Sequence, residues 1–368
     1  MIELQERLNK INQELMIKQS KRLNNQIPIS VIETAIKIAG SAPSGANQQP
    51  WTYVLINDTS VKQKLVDRLE NEALRDYTFI ILLFKQNHGV KINEDGTIEI
   101  VKHYYAHDSV CLSAGMLVGA FHYANITYDL LPINKKINDI LSRPNHETAI
   151  LSFSIKGISD NSDEVTCKIM DFYEIIKGRR SIRRYSNHKF NEEIIRHSIK
   201  LVDNILSSQS HYFELVSDSS LKHKIRKASE ENEKRLYEEL ISEEWKNALN
   251  PLKTNWQKSH LTEAPYLIIA FSRKHDNVSS RKQQNQQIMD SKTMTGIATG
   301  LLIQILHYIG LSTLTYTPSP MRFLNSILDI PSHLTPMMVL PIGYKDKSYQ
   351  LPDIKRKELE DILIKFKR

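Results

Sequence analysis

Apolar and polar positions alternate along this chain in two rhythms, and the same order of rhythms occurs twice. Apolar residues recur at helical spacing in VIETAIKIA (residues 31–39) and again in IIRHSIKLV (194–202), so each predicts an amphipathic helix. Each is followed by a short apolar run, TYVLI and YFELV, that reads as a strand, then by a lysine-rich helix, SVKQKL and SLKHKI. A continuous apolar strand comes next, TFIILLF (78–84) or YLIIAF (266–271), then a long apolar helix and a last strand, ILSFSIKG or MVLPIGYK. AGMLVGAFHYANI (114–126) lies over TGLLIQILHYIGL (299–311), matching Gly115 with Gly300 and His122-Tyr123 with His307-Tyr308, and INDILSRP matches LNSILDIP. Helices alternating with short apolar runs argue for an α+β layered fold present in two tandem copies. The polar stretch SDNSDE (159–164) reads as the linker, which divides the chain into residues 1–163 and 164–368.

Composition narrows the functional classes. The 368 residues are 40% hydrophobic and 25% charged, enough apolar material for two cores. The formal charge of +7 is spread among acidic residues, which disfavours nucleic-acid binding. Cys111 and Cys167 are the two cysteines and form no CxxC, so neither a metal site nor a disulfide framework is expected. The first 22 residues are polar and amphipathic, and the longest apolar runs (77–84 and 337–342) are too short to span a bilayer, so the expectation is a cytoplasmic protein without a membrane segment.

Four segments carry candidate chemistry. SAPSGANQQPW (41–51) puts a small hydroxyl and backbone N–H groups on a turn where glycine permits close approach. GRRSIRRY (178–185) offers forked guanidinium donors beside a serine, suited to a phosphate, and is followed by a helix. LSTLTYTPSPM (311–321) places threonines at alternate positions of an extended segment, hence on one side of it. PDIKRK (352–357) supplies a further arginine. On the charged helix EENEKRLYEELISEEW, Glu233 and Tyr237 are four apart and share a face, and Thr254-Asn255-Trp256-Gln257-Lys258 follows.

Together these segments resemble the nitroreductase superfamily, and most closely its iodotyrosine deiodinase branch. The resemblance runs from Tyr173 to the end of the chain and, in the first half, over residues 27–157. It implies two FMN-dependent α/β sandwich domains that form an intramolecular pseudo-two-fold dimer. Arg179, Arg180, Ser181, Ile182 and Arg183 would hold FMN, with Arg356 adding to the phosphate site. Thr315 would donate to flavin N5 as the catalytic hydroxyl, with Tyr316 and Thr317 beside it. Pro43, Ser44 and Gly45 would cover the flavin, and the Ala46 amide would meet the phenolate oxygen of a substrate. Glu233, Tyr237 and Lys258 would form a lid that grips the amino-acid end of a halotyrosine.

The two halves have kept different parts. The first retains PSG but has Met16 to Ser20 where the second has its arginine cluster, and it lacks the lid, the later threonines and the KRK segment. The second reads DNILSSQSHYFELV where the PSG loop belongs. Since symmetric family dimers use each patch twice, this complementarity implies one FMN site per chain, made at the interface of the halves in a monomeric pseudo-dimer. The expected activity is reductive dehalogenation of a halogenated tyrosine or related phenolic amino acid, with NAD(P)H or a reductase protein as electron donor. The alternatives are an NAD(P)H-dependent nitro or quinone reductase and a flavin-sequestering or flavin-fragmenting protein.

Overall fold

The computed structural model describes residues 2–16, 23–92, 97–273 and 290–366. Chain order begins with α1 (Ile2–Leu15), α2 (Ile29–Gly40), β1 (Trp51–Ile56), α3 (Thr59–Leu69), β2 (Phe79–Gln86), β3 (His88–Ile92) and β4 (Ile98–Lys102). It continues with α4 (Ala106–Tyr123), β5 (Ile126–Pro132), β6 (Glu147–Ile158) and α5 (Ser162–Ile176). The remaining elements are α6 (Glu193–Leu206), β7 (His211–Val216), α7 (Ser219–Arg235), α8 (Glu243–Leu249), α9 (His260–Glu263), β8 (Tyr266–Arg273), α10 (Ser291–Tyr308), β9 (Ser312–Thr313), α11 (Phe323–Leu328), β10 (Leu334–Gly343), α12 (Leu359–Ile362) and β11 (Leu363–Phe366).

Two compact units emerge. Among the described residues, one contains those within 12–177 and 356–366, the other residues 2–11, 178–273 and 290–355. In the first unit a five-stranded sheet runs β11-β1-β2-β6-β5, with β11 parallel to β1 and every other pair antiparallel. In the second, a four-stranded antiparallel sheet runs β7-β8-β10-β9. Matched by position in the two halves of the sequence, β1-β2-β6-β5 and β7-β8-β10-β9 are the same order with the same strand directions. The central strands β2 and β8 are buried through their apolar runs, as covering on both faces demands. The 18-residue helices α4 and α10 are buried nearly all round, which is why both read as apolar rather than amphipathic.

Three local features differ from the sequence expectations. The SDNSDE stretch is the start of a helix: the Asn161 side chain accepts from the Glu164 amide, and Asp163 and Glu164 occupy the first turn of α5, where acidic groups complement the helix dipole. Asp160 is also tied down, by Lys168 at 2.9 Å and by the Asn125 side-chain amide at 2.7 Å. A hairpin, β3–β4, interrupts the first half after β2 and has no forecast in the apolar rhythm. GRRSIRRY is extended, with Ser181 bridging Thr313 in parallel and Tyr185 bridging Lys345, and α6 begins only at Glu193.

The halves differ where the sequence said they would. α3 is joined to β2 by a short 3-10 turn (Glu72–Asp76), whereas α7 continues through a π-turn (Leu236–Leu240), α8, a further 3-10 turn (Asn250–Leu252) and α9 before β8. α6 ends on a left-handed Ser207 and β7 starts four residues later at His211, leaving no counterpart of the loop between α2 and β1. Apart from Met16, the first-half counterpart of the arginine cluster lies outside the described residues. Among the described residues no helix is long and apolar enough to cross a membrane.

Candidate functional site

Two extended segments of the second unit frame the site. Ile182 donates its amide to the Thr313 carbonyl at 3.0 Å, which sets residues 181–183 beside 313–315. Burial then alternates along both. Ile182 (3% exposed), Leu314 and Tyr316 turn into the hydrophobic core, while Ser181, Arg183, Thr315 and Thr317 are only half-buried. The expected cofactor residues Ile182 and Tyr316 therefore contribute core-facing side chains, because they fall on the opposite phase of the strand from the serine, arginine and threonines. Arg179 is buried and Arg180 half-buried. The Ser181 and Thr315 hydroxyls and the Arg183 guanidinium have no hydrogen bond or ion pair among the described residues. Two hydroxyl groups and an uncompensated cation thus stand along one side of a rigid ribbon, suited to a polar, anionic ligand.

The lid residues converge on one buried ion pair. α7 is exposed along most of its charged surface, yet Glu233 is 8% exposed. Its carboxylate meets the Lys258 ammonium at 3.3 Å, and Lys258 is itself buried. The π-turn keeps Tyr237 on the same side, with its ring centroid 5.5 Å from Lys258 Nζ. The TNWQK segment explains how a lysine points inward: Asn255 Oδ1 accepts from the Gln257 amide to make a tight turn, and the Asn255 carbonyl accepts from Lys258 Nζ. Arg226 and Glu230 brace this turn, Glu230 accepting both the Arg226 Nε–H and the Lys258 backbone N–H at 2.8 and 2.7 Å.

Burial sets the electrostatics. It holds the Lys258 ammonium below the usual lysine range, an effect that Glu233 opposes. Burial, followed by the Glu233 charge, raises the Tyr237 phenol. His260, packed edge-on against Tyr316 with ring centroids 5.5 Å apart, is pulled down to about 3 by burial, and Lys258, Arg183 and Arg226 push the same way. Its Nε2 is buried without a hydrogen-bond partner among the described residues. A cleft of about 610 Å³ lined by Arg183, Arg226, Thr254 and His260 opens beside the lid. Sequence reasoning missed His260, Arg226 and Glu230. The first stands two residues after Lys258, and the other two lie two turns and one turn before Glu233 on the same helix.

The remaining expected residues lie in the first unit. Pro43 is buried and Ser44, Gly45 and Ala46 are half-buried in the loop that follows α2. Three non-glycine residues there are left-handed, Ala46 (φ 47°), Asn47 (56°) and Gln49 (48°), at about 1–3 kcal/mol each. Side chains hold them. Gln48 donates to the Lys102 carbonyl at 2.7 Å and accepts the Tyr104 amide at 2.8 Å. Lys357 donates its backbone N–H to the Gln49 side chain and its ammonium to the Gln49 carbonyl. Gly45 is required: a Cβ there would sit 2.5 Å from the Tyr104 carbonyl oxygen. The Gly45 amide is already committed, donating to Ser109 Oγ at 3.2 Å, whereas the Ala46 amide donates to no group among the described residues. Arg356 donates to the Lys177 carbonyl at 2.7 Å.

Comparison with known proteins finds relatives. The nitroreductase family profile matches residues 176–344. An iodotyrosine deiodinase of Haliscomenobacter hydrossis is 34% identical over 57% of this chain and 95% of its own length. Iodotyrosine deiodinase from Hydra vulgaris is 31% identical over 69% of this chain and 96% of that protein, and human iodotyrosine deiodinase 1 is 34% identical over 55% and 70%. Among solved structures, an oxidised iodotyrosine deiodinase bound to FMN and 3-iodo-L-tyrosine aligns with 30% identity and a TM-score of 0.43, over 51% of this chain and 95% of that one.

Proposed function

The chain belongs to the nitroreductase family, on its iodotyrosine deiodinase branch, and we propose that it is an FMN-dependent oxidoreductase that reductively dehalogenates a halogenated tyrosine. The observation that carries the reading is the buried Glu233–Lys258 pair flanked by Tyr237. An acid and a base held together out of water match the two ends of an amino-acid zwitterion. Glu233 takes the ammonium, and Lys258 with the Tyr237 hydroxyl takes the carboxylate, by charge-assisted bonds of about 1.5–3 kcal/mol each.

The cofactor residues fit an anionic, hydroxyl-bearing group, because Ser181, Arg183 and Thr315 carry polar atoms that nothing else among the described residues uses. Arg179, Arg180, Ser181 and Arg183, with Arg356, would hold FMN; Thr315 would offer it a hydroxyl donor, with Thr317 beside it. Bound, reduced FMN supplies the two electrons that, with a proton, replace the carbon–halogen bond by carbon–hydrogen and release halide. On the family resemblance, Pro43, Ser44 and Gly45 would supply the covering loop, and the Ala46 amide would be the donor for the phenolate oxygen. The protein's part is to exclude water with the lid and to fix the ring through the amino-acid end, so that remote binding orders the reacting carbon.

Retention of the loop in the first half alone, and of the arginines, threonines and lid in the second alone, supports one FMN per chain in a fused repeat divided near residue 163. In this reading the chain acts as a cytoplasmic monomer reduced by NAD(P)H or a reductase protein; native mass with flavin stoichiometry tests the first point. The activity is tested on FMN-loaded, anaerobically reduced protein with 3-iodo-, 3-bromo- and 3-chloro-L-tyrosine. Tyrosine and halide in equal amounts are expected. Neither halide release nor binding of any halotyrosine would sink the reading.

A further inference from the structure

We propose that Tyr316 is a positioning residue: it latches the lid to the sheet before substrate arrives and pre-orients Glu233 for an ammonium group. Its backbone is fixed. The Tyr316 backbone N–H donates to the Val339 carbonyl at 2.9 Å and the Tyr316 carbonyl accepts from the Val339 N–H at 2.8 Å, which roots the residue on β10. Its side chain is packed in the core cluster that includes Leu314 and Val339. From that base one phenol reaches three lid side chains. The hydroxyl donates to Glu233 Oε1 at 3.3 Å, the ring centroid lies 5.5 Å from Lys258 Nζ, and the His260 ring meets it edge-on at 5.5 Å. Tyr237 places a second ring at the same distance from Lys258, so the ammonium is held between two aromatic rings and a carboxylate.

A carboxylate offers about four lone-pair sites. Lys258 engages Oε2 and Tyr316 engages Oε1, which leaves room for an incoming ammonium without displacing either. The latch therefore persists in the complex. Its effect is to reduce the ordering cost of binding, since part of the lid is already in place when the ligand enters. The inference rests on the reading above only in assigning the ammonium to an amino-acid substrate; the latch itself belongs to the ligand-free chain.

Tyr316→Phe keeps the ring and its packing and removes the hydroxyl. In FMN-loaded protein without substrate, amide hydrogen exchange across residues 233–258 should quicken about tenfold, the cost of losing one hydrogen bond to a charged group. KM for the halotyrosine should rise by about the same factor with kcat within about twofold, while a halophenol lacking the amino-acid group changes little. Glu233→Gln keeps an acceptor for Tyr316 but removes the counter-charge of the buried Lys258, so it should lose zwitterion binding and loosen the lid more than Tyr316→Phe does. Unchanged exchange in Tyr316→Phe overturns the latch, whatever the halide assay gives. Equal falls in kcat and kcat/KM overturn the positioning role. Faster exchange without dehalogenation in the parent protein overturns the proposed activity and leaves the latch standing.

Discussion

Replacing His260 with Phe tests the burial of the lid base. The ring is 5% exposed, its Nε2 has no partner among the described residues, and its folded pKa is about 3 against 6.5 for the free side chain. The folded state therefore refuses a proton that the unfolded chain accepts below pH 6.5, and stability is lost as pH falls from there toward 3. At 1.36 kcal/mol per pH unit the loss attributable to this one ring is about 2 kcal/mol by pH 5, about 3 kcal/mol by pH 4 and about 5 kcal/mol at the limit. Phenylalanine keeps the aromatic packing against Tyr316 and cannot take up the proton. The assay is urea unfolding of both proteins at pH 7.5, 5 and 4, followed by lid tryptophan fluorescence. The difference in unfolding free energy should move in favour of the variant by about 2 kcal/mol between pH 7.5 and 5. If the two stability curves stay parallel over that range, His260 is either solvated or paired, and the account of a dry lid base fails.

Other outcomes follow from the same structure. Gly45→Ala forces a Cβ against the Tyr104 carbonyl, so the loop must shift at about 1–3 kcal/mol; FMN affinity by fluorescence titration should fall about tenfold or more. Thr315→Ala removes a hydroxyl with no other partner among the described residues; it should lower kcat for halide release by about tenfold or more while FMN binding changes little, and an unchanged kcat would assign that hydroxyl to structure. Because burial lowers the Lys258 pKa, KM for halotyrosine should climb on the alkaline side at a pH below 10.5, and Lys258→Gln should flatten that limb of the profile.

What could be read in the sequence was what repeats or what chemistry fixes. The doubled order of helices and strands appears as two sheets with one strand order, because alternating apolar runs leave little choice of face. Glu233 and Lys258 could be singled out from a charged helix and a short motif, and they prove to be the buried pair. The strand phase of LTYTP was visible too, but it assigns Tyr316 to the core side, where its partners come from a helix some eighty residues earlier. Such long-range partners leave no local periodicity. The β3–β4 hairpin was illegible for a different reason: Val90, Ile98 and Ile100 are exposed, so its pattern reflects no buried face. SDNSDE has the composition of a linker and of a capped helix start alike, and the Asn161 side chain decides between them.

The parallel pairing of β11 with β1 joins residues 363–366 to residues 53–56 of the same sheet. About 310 residues separate the partners, so at ribosomal rates β1 is made roughly 15–60 s before the strand that shields its edge. For that interval Trp51–Ile56, buried throughout in the finished protein, carries an open row of backbone donors and acceptors next to an apolar surface. Maturation of the early half is thus timed by synthesis of the late half. A nascent chain stalled before residue 363 would leave this edge of β1 without its partner strand.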